Sequence, residues 1–173
     1  DGTNTTDTVN AVYDREITLA KDKFSRAGYE FVGWNTKADG TGTPYVAEQV
    51  VSNLTTIREG TVILYAQWKA KEYEITFDAN EGTVSPVKKT IAYEKTYGEL
   101  PAAEKEGYDF LGWFTQREGG KKVTESDVFR NTEDITLYAR WEKIIITPCK
   151  VPTVSITGEI KEGVLGESDW VVV

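Results

Sequence analysis

Gly107-Tyr108-Asp109-Phe110-Leu111-Gly112-Trp113 repeats Gly28-Tyr29-Glu30-Phe31-Val32-Gly33-Trp34 with two conservative changes, at an offset of 79 (107 − 28). Farther on, Leu137-Tyr138-Ala139-Arg140-Trp141 repeats Leu64-Tyr65-Ala66-Gln67-Trp68 at an offset of 73 (137 − 64). The first copy therefore carries 6 more residues between its two landmarks (79 − 73). Upstream, Tyr93-Glu94-Lys95-Thr96 answers Tyr13-Asp14-Arg15-Glu16. Three matches in one order mean internal duplication. The chain divides into a first module over 1–69, a second over 70–142, and a stretch over 143–173 that belongs to neither and is expected to be a β-prone tail or the start of a further domain.

The second copy is the easier one to interpret. Tyr73-Glu74-Ile75-Thr76-Phe77-Asp78 alternates apolar and polar residues, the pattern of a half-buried strand. Asn80-Glu81-Gly82-Thr83 turns the chain, and Val87 to Tyr93 alternates again with one solvated face. Strict alternation puts Tyr108, Phe110, Gly112 and Phe114 on one face of the next strand and Leu111 and Trp113 on the other. Ile135, Leu137, Ala139 and Trp141 line one face of a last strand, opposite Tyr138. β-Branched and aromatic residues dominate, and no window shows a 3.6-residue period. One helical turn is expected at most, over 124–130. The expected fold class is mainly β.

Composition narrows the function. Of 173 residues, 39% are hydrophobic and 12% aromatic, enough for packed cores. Asp and Glu number 28 against 20 Lys and Arg, a net charge of −8. The adjacent basic pairs, Lys88-Lys89 and Lys121-Lys122, do not make the cationic stripe that displaces counterions from phosphates, so nucleic acid is not expected as a partner. No apolar run reaches the roughly 18–20 residues of a membrane span, so no membrane insertion is expected of this stretch. A start at Asp1-Gly2-Thr3-Asn4 and the lack of Met suggest a piece of a longer chain. Cys149 is the one cysteine and there is no histidine. An intramolecular disulfide, a Cys/His metal site and a Ser-His-Asp device are therefore excluded, and no cofactor is expected.

Ile75-Thr76-Phe77-Asp78-Ala79-Asn80-Glu81-Gly82-Thr83, followed by 107–113 and then 137–141, resembles the Listeria–Bacteroides repeat, the internalin-type B repeat of bacterial surface proteins. The likeness covers 72–142 and most of 1–69, where Trp34-Asn35-Thr36 and Asp39-Gly40-Thr41-Gly42-Thr43 fit a longer variant. Glu81 stands where a second Gly is common, and the first copy has no counterpart of Tyr73 to Phe77. The resemblance implies two small β-grasp-like, ubiquitin-like modules, carried in tandem on an extracellular, cell-surface or wall-anchored protein. It carries no catalytic residues.

The repeated residues set the candidate sites. Trp34, Trp68, Trp113 and Trp141 could stack on sugars, but shared strand positions favour core packing, with Gly28, Tyr29, Phe31, Gly33, Gly107, Tyr108, Phe110 and Gly112 completing the structural motif. Gly33 and Gly112, mid-strand, mark a bulge or a close approach, with an aromatic ring lying over the backbone as the favoured form. Tyr65 and Tyr138 lie opposite their strands' apolar sets and are the candidate partner surface. Glycosidases work with two carboxylates at a fixed separation, and Glu104/Glu106, Glu125/Asp127 and Glu133/Asp134 are acidic pairs. The first copy does not repeat these pairs, and solvated surface is the simpler assignment. Asp1 to Asp7 and Asp39 lack the spacing of a calcium loop.

The four residues from Lys69 to Glu72 span no more than about 14 Å, so the modules are expected to stay close, as a semi-rigid array. The resulting expectation is a non-enzymatic spacer or adhesion region of an exported bacterial protein, with a host or matrix protein or a glycan as partner. The alternative is a carbohydrate-binding appendage of a secreted hydrolase. A further expectation concerns the first copy's missing strand: Ile144-Ile145-Ile146 or Trp170-Val171-Val172-Val173 could be donated to it by a neighbouring molecule, giving self-association through the 143–173 tail.

Overall fold

The computed structural model describes residues 6–21 and 23–146. The described residues form strands and turns without a helix, so the fold is mainly β. The first module holds β1 (Ile17–Thr18), β2 (Tyr29–Asn35), β3 (Pro44–Val46), β4 (Val50–Val51) and β5 (Tyr65–Ala70). The second holds β6 (Glu72–Asp78), β7 (Thr83–Val84), β8 (Lys88–Ala92), β9 (Ala103–Glu104), β10 (Tyr108–Phe114), β11 (Lys122–Val123) and β12 (Ile135–Lys143).

In the second module one sheet runs β11-β10-β12-β6-β8. Its central pair, β12 and β6, is parallel, with Ile135 to Tyr138 beside Ile75 to Asp78. All the other pairings of this sheet are antiparallel. A strand paired on both sides must find apolar cover, and β6 does: Ile75 and Phe77 are buried among Ile91, Trp113, Phe129 and Leu137. The Phe77 and Trp113 rings lie 4.8 Å apart between centroids.

The strict alternation expected of β10 breaks. A β-bulge between Phe110 and Gly112 leaves Leu111 exposed and brings Phe110 to the same side as Trp113, 5.5 Å away. The first copy repeats the device: a bulge between Phe31 and Gly33, Val32 exposed, and Phe31 on Trp34 at 5.2 Å. The expected ring over Gly33 and Gly112 is also replaced. An added Cβ would meet the Tyr45 carbonyl oxygen at 2.5 Å at Gly33, and the Lys122 side chain at 2.7 Å at Gly112. Both glycines have positive φ, 155° and 117°, which a side chain would strain.

The helical turn expected within 124–130 is a side-chain-capped turn instead. Asp127 accepts bonds from the Thr124 N–H at 2.8 Å and the Thr124 hydroxyl at 3.0 Å, and its own N–H donates to the Thr124 carbonyl. Asp competes for local backbone donors, which favours such turns over helix.

In the first module the sheet stops at three strands, β3-β2-β5, with β1 and β4 as a separate pair. Leu19 and Val51 are its buried apolar residues. Val62, Ile63 and Leu64 match Ile135 to Leu137 but form no strand.

Candidate functional site

β5 runs into β6 with Lys71 alone between them. Lys71 is bonded to both modules: its N–H donates to the Gly28 carbonyl of the first at 2.9 Å, and its carbonyl accepts from the Tyr93 N–H of the second at 2.9 Å. The connection is thus a continuous paired backbone, shorter than the four residues expected.

Side chains close the same joint. Gly28 holds φ 75°, and an added Cβ would clash with the Tyr93 ring, whose nearest carbon lies 2.3 Å from that position. Tyr29 meets Tyr93 edge to face at 5.5 Å. The Tyr29 hydroxyl donates to the Glu94 carboxylate, a bond that raises the Tyr29 pKa above its ordinary value. Arg26 lies over the Tyr29 ring at 3.8 Å and places a guanidinium nitrogen 3.9 Å from Glu94. The ring quadrupole attracts the cation, and water at this exposed site screens the attraction. Glu94 has φ 61°, as Asp14 has 56° at the matching turn of the first module.

The far end of the second module presents the same backbone. The Ile144 N–H donates to the Gly107 carbonyl at 2.9 Å, and Lys105 lies 4.6 Å over the Tyr108 ring. Gly107 has φ 77°, but no atom of the described residues outside its chain neighbours lies within 4 Å of the Cβ position.

The motif tryptophans occupy different surroundings. Trp113 is 1% exposed and donates its indole N–H to the Pro101 carbonyl at 2.7 Å. Trp34 is half-buried and donates to the Ala20 carbonyl at 2.9 Å. Trp141, half-buried, donates to the Ala79 and Asn80 carbonyls at 3.0 and 3.1 Å, and its ring fills the space beside Gly82. Trp68 is half-buried, and its indole nitrogen is buried without a partner among the described residues.

Tyr65 is 39% exposed, and Tyr138 is half-buried with Arg117 5.5 Å over its ring. The two lie in separate modules, so the structure does not bring them together. Tyr65 borders a small recess of about 350 Å³ with Arg26, Gln67 and Trp68. A larger groove of about 1100 Å³ opens in the first module, lined in part by Ile17, Leu19, Trp34, Val51 and Leu64.

Asp39 accepts from the Thr41 N–H and hydroxyl at 2.9 and 2.8 Å, bonds that lower its pKa and leave it a turn residue. Asp134 accepts from the Glu74 N–H at 2.7 Å. Asp127 is held down to a pKa of about 2, first by the Lys121 ammonium and then by the Thr124 donors. Among the described residues no group of three or more His, Cys, Asp or Glu is placed to hold a metal ion. Asp1 to Thr5, Cys149 and Trp170 to Val173 lie outside the described residues.

The Listeria-Bacteroides repeat domain matches residues 1–67 and again 73–140. The chain belongs to this repeat family. It is 40% identical over 134 residues to a Gly-rich membrane protein of Evansella cellulosilytica, covering 73% of this chain and 16% of that protein. It is 31% identical over 144 residues to internalin H of Listeria monocytogenes, covering 83% of this chain and 24% of that protein. A second membrane protein of E. cellulosilytica is 33% identical over 139 residues, covering 77% of the chain and 18% of that protein. The chain thus spans about a quarter or less of the relatives it matches.

Joint residues Arg26, Lys71, Tyr93 and Glu94 are not among the candidates that sequence patterning singles out. Their signal is present in one form: Tyr93-Glu94 falls in the third repeated match. Repetition alone does not say what the pair touches.

Proposed function

We propose that the chain is a non-enzymatic repeat region of an exported bacterial cell-envelope protein, serving as a spacer that holds successive modules in fixed order and presents the parts of the parent protein beside it. The observation that carries this is Lys71, whose two backbone bonds splice β5 into β6. A hinge that must swing leaves its backbone groups to water. Here the linker's N–H and C=O are both spent on the neighbouring modules, and Gly28, Tyr29, Tyr93 and Glu94 pack beside them. The names of the relatives, membrane proteins and an internalin, support an envelope location.

NMR relaxation on the whole chain tests the coupling. A spacer of this kind gives both modules one rotational correlation time, and small-angle scattering gives a narrow distance distribution. Inserting Gly-Ser-Gly after Lys71 should separate the two correlation times. Independent tumbling of the unmodified modules would defeat the proposal. A panel of glycans titrated against tryptophan fluorescence addresses the carbohydrate-binding alternative, with saturable quenching as its signature.

A further inference from the structure

The first and last strands of the second module are neighbours. β6 opens the module, β12 closes it, and the two pair parallel, with Ile75 to Asp78 beside Ile135 to Tyr138. A parallel pair needs a crossover, and β7 to β11 all lie within this one. Closing so long a loop costs chain entropy, which the packed pair offsets. The chain therefore enters at one end of the pair, from Lys71, and leaves at the opposite end, at Ile144.

A pull along the chain slides β6 and β12 past each other. The hydrogen bonds of the pair bridge the two strands side by side, so they share that load instead of meeting it one at a time. The flanking antiparallel pairs slide with them: β8 holds Glu72 to Thr76, and β10 holds β12 from Tyr138 to Lys143. Further bonds tie the two strands beyond their paired register. The Glu74 N–H donates to the carboxylate of Asp134, just before β12, at 2.7 Å. Just after β6, the Ala79 and Asn80 carbonyls accept the Trp141 indole N–H at 3.0 and 3.1 Å, and the Asn80 amide donates to the Ala139 carbonyl at 3.3 Å. Ile75, Phe77, Leu137 and Ala139 are buried on the core face of the pair, so that face admits no water to replace the bonds as they stretch. On the other face Arg117 bonds Asp78 of β6 at 2.6 Å and lies over the Tyr138 ring of β12.

We propose that the second module bears tension: β6 and β12 form a shear clamp that keeps it folded while the chain is pulled along its length. Forced unfolding is governed by the unfolding rate and not by equilibrium stability, and this strand order raises the barrier in one direction. A load across the sheet meets no clamp. It parts the strands pair by pair, beginning with β8 or β11, the outermost strands of the described sheet. The inference goes beyond the spacer reading and stands on strand order, so it holds whether or not the two modules tumble together.

Single-molecule pulling on the whole chain tests it, with handles on paired cysteines and Cys149→Ser in every version. Lys69→Cys with Ile145→Cys loads the module along the clamp, from exposed positions on either side of it. Lys88→Cys with Lys122→Cys loads it across the sheet, from exposed positions opposite Thr76 and Phe114. At one loading rate the first geometry should need at least about twofold the rupture force of the second. Trp141→Phe keeps a ring but removes the bonds to Ala79 and Asn80, and should lower the ratio of the two forces. A general loss of stability weakens both directions and leaves that ratio in place. Equal forces in the two geometries, or a ratio that Trp141→Phe does not change, would overturn the proposal.

Discussion

The two modules share a motif set, but their described residues bury cores of different size. The second has five strands in one sheet and buries ten residues in one apolar cluster, including Ile75, Trp113, Phe129 and Leu137. The first has three strands in its sheet and buries Leu19 and Val51. The shared residues are equally present in both, so they are not what closes a module. The difference is β6. It supplies two core side chains, a partner for the first half of β12 and acceptors for Trp141. Among the described residues of the first module, Val62 to Leu64 form no strand and the Trp68 indole nitrogen has no partner. One strand added at the sheet's centre thus orders residues some sixty positions away from it in sequence, a separation that Ile75 beside Ile135 makes concrete.

The sharpest way to break this comparison is to remove the matching tryptophans. Trp113 is fully enclosed, so Trp113→Ala should cost about 3–5 kcal/mol and leave the second module unfolded or nearly so. Trp34→Ala removes a ring that already faces a groove, and should cost about 1–2 kcal/mol. Urea melts followed by NMR peaks assigned to each module would read the two separately. Equal costs would mean that the first module is closed in solution.

A smaller effect separates the glycines that begin the two repeats of the motif. Gly28 and Gly107 share a left-handed φ, so Ala at either position carries a strain of about 1–2 kcal/mol. At Gly28 the new methyl must also displace the Tyr93 ring, whereas at Gly107 it meets none of the described residues. Gly28→Ala should therefore cost more than Gly107→Ala and should also loosen the joint, visible as diverging correlation times of the two modules. If the two substitutions match in both readouts, Tyr93 does not sit on Gly28 in solution.

Much of this architecture is legible in the sequence. Period-two alternation locates β6, β10 and β12 because strand faces are half-buried. The repeated landmarks announce two tandem copies, and the family matches twice, at 1–67 and 73–140. The bulges are not legible in detail, because Phe110-Leu111-Gly112 alternates as well in a straight strand as in a bent one. Nor is the joint. Gly28 shares its left-handed φ with Gly107, but the tyrosine 65 residues later (93 − 28) that packs on it is recorded by no local pattern. The turn at Thr124 reads as part of a helix because an Asp three residues on suits either a helix start or a capped turn.

That turn offers the finest test of the comparison, since the modules build it with different chemistry. In the second, the Thr124 N–H donates to the Asp127 carboxylate at 2.8 Å. In the first, the Val46 N–H donates to the Gln49 side-chain oxygen at 2.9 Å, and the Gln49 N–H returns to the Val46 carbonyl as the Asp127 N–H does to Thr124. A carboxylate titrates and an amide does not. The Lys121 ammonium and the Thr124 donors hold Asp127 at about 2, against an ordinary value of 3.8. The folded state therefore binds that proton less readily than the unfolded state, and the stability gained is complete above about pH 4. It falls away as pH drops from about 3.8 toward 2, and below that the turn has lost its charged acceptor. The Asp127 side chain is half-buried but its partner Lys121 is exposed, so the effect is modest and screened by salt. It should appear as a chemical-shift titration of the Thr124 amide with a midpoint at about 2, absent from the Val46 amide. Asp127→Asn should flatten the Thr124 response and leave Val46 unchanged. A Val46 amide that titrates in step with Thr124 would mean that the two turns report global acid unfolding instead of their own acceptors.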